Sequence, residues 1–258
     1  MRKTNLFARV IGSAAAVALG TSALATVYPG NGVAAGGGNQ AAAITSVSMT
    51  NDATNLYVTI NLDPTADLTS NYFVLYELGI QDNGTGAGAG STSLVNPYGE
   101  AIGISTGMYD WAALYLYYSG STEVSGADFY HSADGSTLPS SRTGGLATSF
   151  VGTGSPSVSM TIPLSSLGPA GLGAGSTFNF DVWTTYGGSA QSAYDALDNT
   201  MTPVIATPWN NPTYDSATAP GTTFANTTYT VAPVPEPASI AIVSLGGIFA
   251  FRRSSQRR

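Results

Sequence analysis

Between Asn55 and Leu62 every second residue is apolar: Leu56, Val58, Ile60 and Leu62 alternate with Tyr57, Thr59 and Asn61. Successive side chains of a strand point to opposite faces, so this stretch fits a half-buried strand. Turn signals bound it, Asn51-Asp52 before and Asp63-Pro64 after. The same period returns in Val158, Met160, Ile162 and Leu164, and again in Phe178, Phe180 and Val182. Residues 72–77 and 109–118 are apolar on both faces, and the second of these predicts a central strand. Further strands are expected at 101–104, 123–131 and 222–231. A short helical turn is expected at 193–197. No stretch before the C-terminal tail keeps a helical period for long. The expectation is one all-β domain, a two-sheet antiparallel sandwich of jelly-roll-like character with eight or nine strands.

Composition agrees with that class and narrows the chemistry. Between residues 26 and 233 the only basic residue is Arg142, against fourteen acidic ones, a formal charge of −13. Such a field repels nucleic acid and anionic polymers, leaving cations and neutral polymers as partners. It also serves solubility. There is no cysteine, which excludes disulfides, thiolate metal sites and thiol catalysis. A domain without disulfides must hold together by its own core, and about 200 residues suffice for one.

Both ends read as addresses. Arg2, Lys3 and Arg9 precede the apolar run 10–19, and Ala23 and Ala25 offer small residues for cleavage after Ala25. This pattern predicts a signal peptide over 1–25, followed by a flexible Gly/Ala-rich lead over 26–43 and the sandwich over 44–232. An uncleaved anchor is the alternative, against which the short apolar run argues. At the other end, Pro235-Glu236-Pro237 is followed by an uncharged apolar run, 238–251, and then by Arg252, Arg253, Arg257 and Arg258. The two prolines hold the triplet extended. As a helix the apolar run spans about 21 Å, short of a hydrocarbon core of roughly 30 Å, and snorkelling arginines extend its reach. The arginines predict a cytoplasmic C-terminus. A buried soluble helix would carry a polar stripe, and this run has almost none.

This tail, 233–258, resembles a PEP-CTERM sorting signal. The resemblance implies an exported bacterial envelope protein, an exosortase-type processing enzyme as partner, passage through the membrane and association with an extracellular polysaccharide matrix. A second resemblance lies in the domain. The runs 55–60, 160–168 and 178–183 look like the strand order of DOMON and family-9-type carbohydrate-binding sandwiches. Those families bind sugars, and some members bind haem; with His131 the only histidine, axial haem ligation has little to draw on here.

The candidate chemistry is sparse. His131 is a lone histidine, too little for a serine triad to be read from the sequence, and several histidines or cysteines for a zinc site are lacking. Paired carboxylates fit a glycan hydrolase, but fourteen acids pair often by chance, so the expectation is a protein that is not an enzyme. No resident cofactor is expected. Calcium is the best metal hypothesis, because it takes carboxylate and carbonyl oxygens. Asn51-Asp52, Asp63 with Asp67, Asp82-Asn83 and Asp195 with Asp198-Asn199 are oxygen clusters in turn regions. A helical turn would put Asp195 and Asp198 on one side. Asx turns explain each cluster equally well. For sugar binding, Trp183 alternates away from the Phe178/Phe180 face and Trp209 lies in a Pro- and Asn-rich loop; both are candidate stacking platforms. Trp111 is expected in a core. Asn83 and Asn226 head glycosylation sequons to which bacterial-type sorting ends give no role.

Overall fold

The computed structural model describes residues 23–30, 32, 40–69, 73–82, 110–119, 122–131, 144–168, 170–185, 194–197 and 227–234. Residues Ser22–Val234 form one compact unit; Met1–Thr21 and Pro235–Arg258 fall outside it. The strands in chain order are β1 (Thr26–Pro29), β2 (Ile44–Asn51), β3 (Asn55–Leu62), β4 (Phe73–Asp82), β5 (Asp110–Ser119) and β6 (Thr122–His131). They continue as β7 (Gly144–Gly145), β8 (Ala147–Val151), β9 (Ser157–Pro163), β10 (Thr177–Thr185), β11 (Asp195–Ala196) and β12 (Thr228–Thr230).

These strands make two antiparallel sheets. The first has the order β1-β2-β3-β9-β8 and the second β11-β10-β4-β5-β6-β7, with β12 also pairing β10. The sheets interlock: β3 and β9 are neighbours in the first, and the strands that follow them, β4 and β10, are neighbours in the second. The all-β sandwich expected from the alternation is the fold, and the twice-apolar β5 is indeed interior to its sheet.

The core between the sheets is built by the alternating residues. Val47, Met49, Leu56, Val58, Ile60, Val158, Met160 and Ile162 face Tyr76, Leu78, Leu114, Phe178, Phe180 and Val182, all at most 2 % exposed. Burying a side chain of this size is worth about 1.5–3 kcal/mol each, and this lets the domain stand without disulfides. Asn51 ties the end of the domain to β2. Its Nδ2 donates to the carbonyls of Asp52 and Ala232, and its Oδ1 accepts from Tyr229 OH at 2.7 Å and Ala232 N at 2.9 Å.

Three expectations are corrected. First, the residues read as a flexible lead contain β1, which pairs Val27 with Ser48 and Tyr28 with Val47. Tyr28 packs edge-on to Phe180 at 4.8 Å, and its hydroxyl donates to the carbonyl of Thr228. The small Ala41-Ala42-Ala43 run is no linker but a buried plug in a 3-10 turn (Gln40–Ala42) and its exit. Tyr76 OH donates to the Ala41 carbonyl and Thr184 Oγ1 to that of Ala42. Second, where a helical turn is expected at 193–197, Asp195 and Ala196 form the short strand β11 and pair with Thr184 and Trp183. Third, β8 was not anticipated; its Ala-Thr-Ser-Phe-Val sequence has only Phe150 and Val151 to mark it. The strand expected at 101–104 lies outside the described residues, as does the first half of that at 222–231. Among the described residues no helix is long and apolar enough to cross a membrane; the run 238–251 lies outside them.

Candidate functional site

The two outer faces of the sandwich differ. The first sheet behaves as an antiparallel sheet with one wet face: β3 and β9 alternate buried and part-exposed residues along their length. Its outer face carries Ser48, Thr59, Ser159 and Ser149, which are consecutive cross-strand partners on β2, β3, β9 and β8. Thr59 Oγ1 and Ser159 Oγ lie 2.9 Å apart, and Asn61 Nδ2 donates to Ser46 Oγ at 3.0 Å. No Asp, Glu, Lys, Arg or His occurs in any of the five strands. Tyr57 stands on the same face, with its hydroxyl donating to Asp52 Oδ2 at 2.5 Å.

The middle of the second sheet is buried on its outer face as well. One cross-strand row runs Trp183, Glu77, Ala113, Asp128, and the next runs Asp181, Gly79, Trp111, Tyr130. Trp111, Trp183, Glu77 and Asp181 are fully buried, and Asp128 is 9 % exposed. The tryptophan rings are 6.0 Å apart at 50°, and Tyr130 lies 6.4 Å from Trp111. Thr185 Oγ1 donates to Glu77 Oε1 at 2.8 Å. Glu77 and Asp181 are diagonal neighbours on adjacent strands, which sheet geometry sets at roughly 7–8 Å. Buried carboxylates are costly, so their grouping with aromatic rings makes this face a candidate site.

A third cluster sits at one end of the sandwich. Asp110 opens β5, His131 closes β6, and they are direct cross-strand partners. Asp110 is fully buried; its Oδ1 meets His131 Nδ1 at 2.6 Å and its Oδ2 accepts from Gly168 N at 2.7 Å. The hydrogen bond to Asp110 raises the His131 pKa against the opposing effect of burial. The sequence offered His131 as a solitary group. Its partner lies 21 residues away, and only the β5–β6 register reveals it. Near this end an open groove of about 430 Å³ lies between the Ala53-Thr54 turn and the connection Leu164–Gly173. The residues lining it carry no ionisable group.

The residues singled out from sequence fare differently. Trp183 does alternate away from Phe178 and Phe180, but it is fully buried against Trp111. It is therefore no exposed platform, because the middle of the second sheet is covered on both faces. Trp209 lies outside the described residues. Asp195 points into the sandwich and not to a surface cation. Its Oδ2 accepts from Ile44 N at 2.7 Å and its Oδ1 from Ala196 N at 2.9 Å. Burial pushes its pKa up to about 7. Asp198, its expected companion, lies outside the described residues. Asp63 and Asp67 are taken by Asx turns, each accepting from the hydroxyl and backbone N–H of the threonine two residues on. For Asp52, burial works against ionisation, but hydrogen bonds from Tyr57, Thr54 and Asn55 outweigh it and hold the carboxyl well below the usual range. Among the described residues no three His, Cys, Asp or Glu side chains come together to hold a metal. Ala23 and Ala25 adjoin β1, and Ala23 bonds to Thr50 and Asn51. Pro235, Glu236, Pro237, Arg252, Arg253, Arg257 and Arg258 lie outside the described residues.

Fold and site together define a two-sheet antiparallel sandwich with one uncharged wet face and one covered acid-and-aromatic face. Compared with known proteins, the chain matches no family model and no curated relative.

Proposed function

We propose that this chain is an exported bacterial envelope protein, sorted by its C-terminal tail, whose sandwich acts without catalysis at the surface or in the extracellular matrix and binds neutral carbohydrate. The observation that carries the reading is the partition of the chain. A single compact unit, Ser22–Val234, is bounded at one end by a segment with signal-peptide character and at the other by the Pro-Glu-Pro tail. β1 begins at Thr26, the residue that cleavage after Ala25 would leave as the new N-terminus. The charge of the domain favours neutral polymers over anionic ones.

The test is binding of the purified chain to a panel of neutral and anionic polysaccharides, with calcium and then with chelator, while released sugars are measured. Saturable binding to neutral glycans without release is expected. Binding to none of them would sink the carbohydrate reading.

A glycan hydrolase is the second reading, favoured by one observation: Glu77 and Asp181 stand on neighbouring strands and the same face. Paired carboxylates a few ångströms apart can serve as acid and base or nucleophile. Sugar release that is lost in both Glu77→Gln and Asp181→Asn would establish it in place of the first reading.

A further inference from the structure

We infer that the outer face of the first sheet is the docking surface for a neutral polysaccharide chain, an inference that rests on the carbohydrate-binding reading above. The first argument is charge. The span 26–233 carries −13, yet the five strands of this sheet contribute nothing to it. A surface of an acidic domain ordinarily carries its charge throughout, for solubility. The five strands of this wet face carry no ionised side chain, Asp52 stands only in the turn at its rim, and the acids around it repel polyanions. A neutral polymer meets no such obstacle.

The second argument is the chemistry of the array. Ser48, Thr59, Ser159 and Ser149 stand in one row across four strands. Sheet geometry spaces such groups at about 4.8 Å across strands and about 6.8 Å along them. Each hydroxyl has one donor and two acceptor sites, so the Thr59–Ser159 bond uses only part of what the pair offers. Asn61 adds amide groups in the adjoining row. Donors and acceptors are thus repeated on rigid strands, and a polymer of repeating hydroxyls presents the same chemistry back. Because the groups are fixed before binding, little order is lost on contact.

The third argument is Tyr57. It is part-exposed on this same face, and its hydroxyl is anchored by Asp52 at 2.5 Å. An immobilised ring beside hydroxyls and amides is what stacks on the apolar face of a pyranose. Of the two rings the sequence offered for stacking, Trp183 is buried and Trp209 lies outside the described residues; Tyr57, in the most legible strand of the chain, faces outward.

The experiment uses the full-length chain in mild detergent and measures binding to amorphous cellulose, with a soluble neutral β-glucan as competitor and alginate as the anionic control. Two variants alter the face, Ser159→Glu and Tyr57→Ala. Thr177→Glu adds the same charge at an exposed position on the second sheet. Urea unfolding certifies that each variant is folded. The expected result is binding at least tenfold weaker in both face variants and unchanged in Thr177→Glu. If the wild type binds and the face variants bind equally well, the inference is overturned and the carbohydrate reading stands with its surface elsewhere. If the wild type binds no neutral glycan, that reading fails and takes the inference with it. If Ser159→Glu converts an oligomer to a monomer without weakening glycan binding, the face belongs to a second copy of the chain and the inference is likewise overturned.

Discussion

Replacing Asp195 by asparagine should reverse the order of stability between low and high pH. The carboxyl is fully buried and serves two backbone amides, Ile44 N of the first sheet and Ala196 N of its own strand. Burial, opposed by these two hydrogen bonds, raises its pKa from 3.8 to about 7. The unfolded chain releases this proton near pH 4, whereas the folded protein keeps it to about pH 7. Folding stability from this group is therefore fully present below pH 4, declines as pH rises from 4 to 7, and levels off above. At about 1.4 kcal/mol per pH unit the loss is on the order of 4 kcal/mol. Asparagine does not titrate, so it is spared that loss. It keeps one carbonyl acceptor and puts an NH₂ where the second acceptor stood, leaving one buried amide N–H unmatched at a cost of about 1–3 kcal/mol. Asp195→Asn should then be less stable than wild type by about 1–3 kcal/mol at pH 4, and more stable by a similar amount at pH 8. Urea unfolding at pH 4, 5.5, 7 and 8 measures the difference, and subtraction removes the titrations common to both proteins. A difference that stays constant from pH 4 to 8 would refute the reasoning.

Other consequences follow from single contacts. Asn51→Ala should cost about 3 kcal/mol, since it leaves the buried Tyr229 hydroxyl and the Ala232 amide without their acceptor; an unchanged urea midpoint would count against Asn51 as the tie between β2 and the end of the domain. His131→Ala should lose about 1 kcal/mol, discounted for the partial exposure of the ring. Because the His131 pKa is raised by Asp110, the wild-type advantage should be largest below about pH 6.5 and shrink as pH rises through the folded value, read by thermal melts at pH 5.5 and 8.5. The sorting reading predicts that the intact mass of the protein from cells able to process such tails lacks residues 238–258; a mass that retains them would exclude processing.

The fold was legible where one face of a strand is wet. β3, β9 and the first half of β10 announce themselves by strict alternation, because the period of two survives only if solvent takes every other side chain. The second half of β10 is different: Asp181, Trp183 and Thr185 look like a solvent face, and all are buried. Alternation correctly assigned Trp183 to the face opposite Phe180, but polarity along one strand does not reveal that the other side of a sheet is covered. Ala41-Ala42-Ala43 misled for a related reason. Small residues are equally at home in a linker and in a tight plug, and the hydrogen bonds that decide come from Tyr76 and Thr184, far along the chain. Asp195 read as a metal ligand because its spacing to Asp198 assumed a helix; pairing with β10 turned it inward. Asp110 and His131 could be joined only by the register of a hairpin.

The interlocked sheets also set a schedule for the chain as it is made. β3 acquires its neighbour β9 only when Met160 and Ile162 arrive opposite Val58 and Leu56, and β4 must wait for Phe180 and Val182 on β10. At translation rates of about 5–20 residues per second, the hundred or so residues between these partners take roughly 5–20 seconds to appear. Throughout that interval β3 lacks its β9 neighbour and the sheet opposite Leu56, Val58 and Ile60 lacks β10, and long-range antiparallel pairing is slow to begin with. The hydroxyl-rich, low-charge composition of the same strand gives no electrostatic defence against pairing with another nascent chain. A holding partner during synthesis, or transport in an unfolded state, would keep this half of the protein from finding the wrong edge before its own arrives.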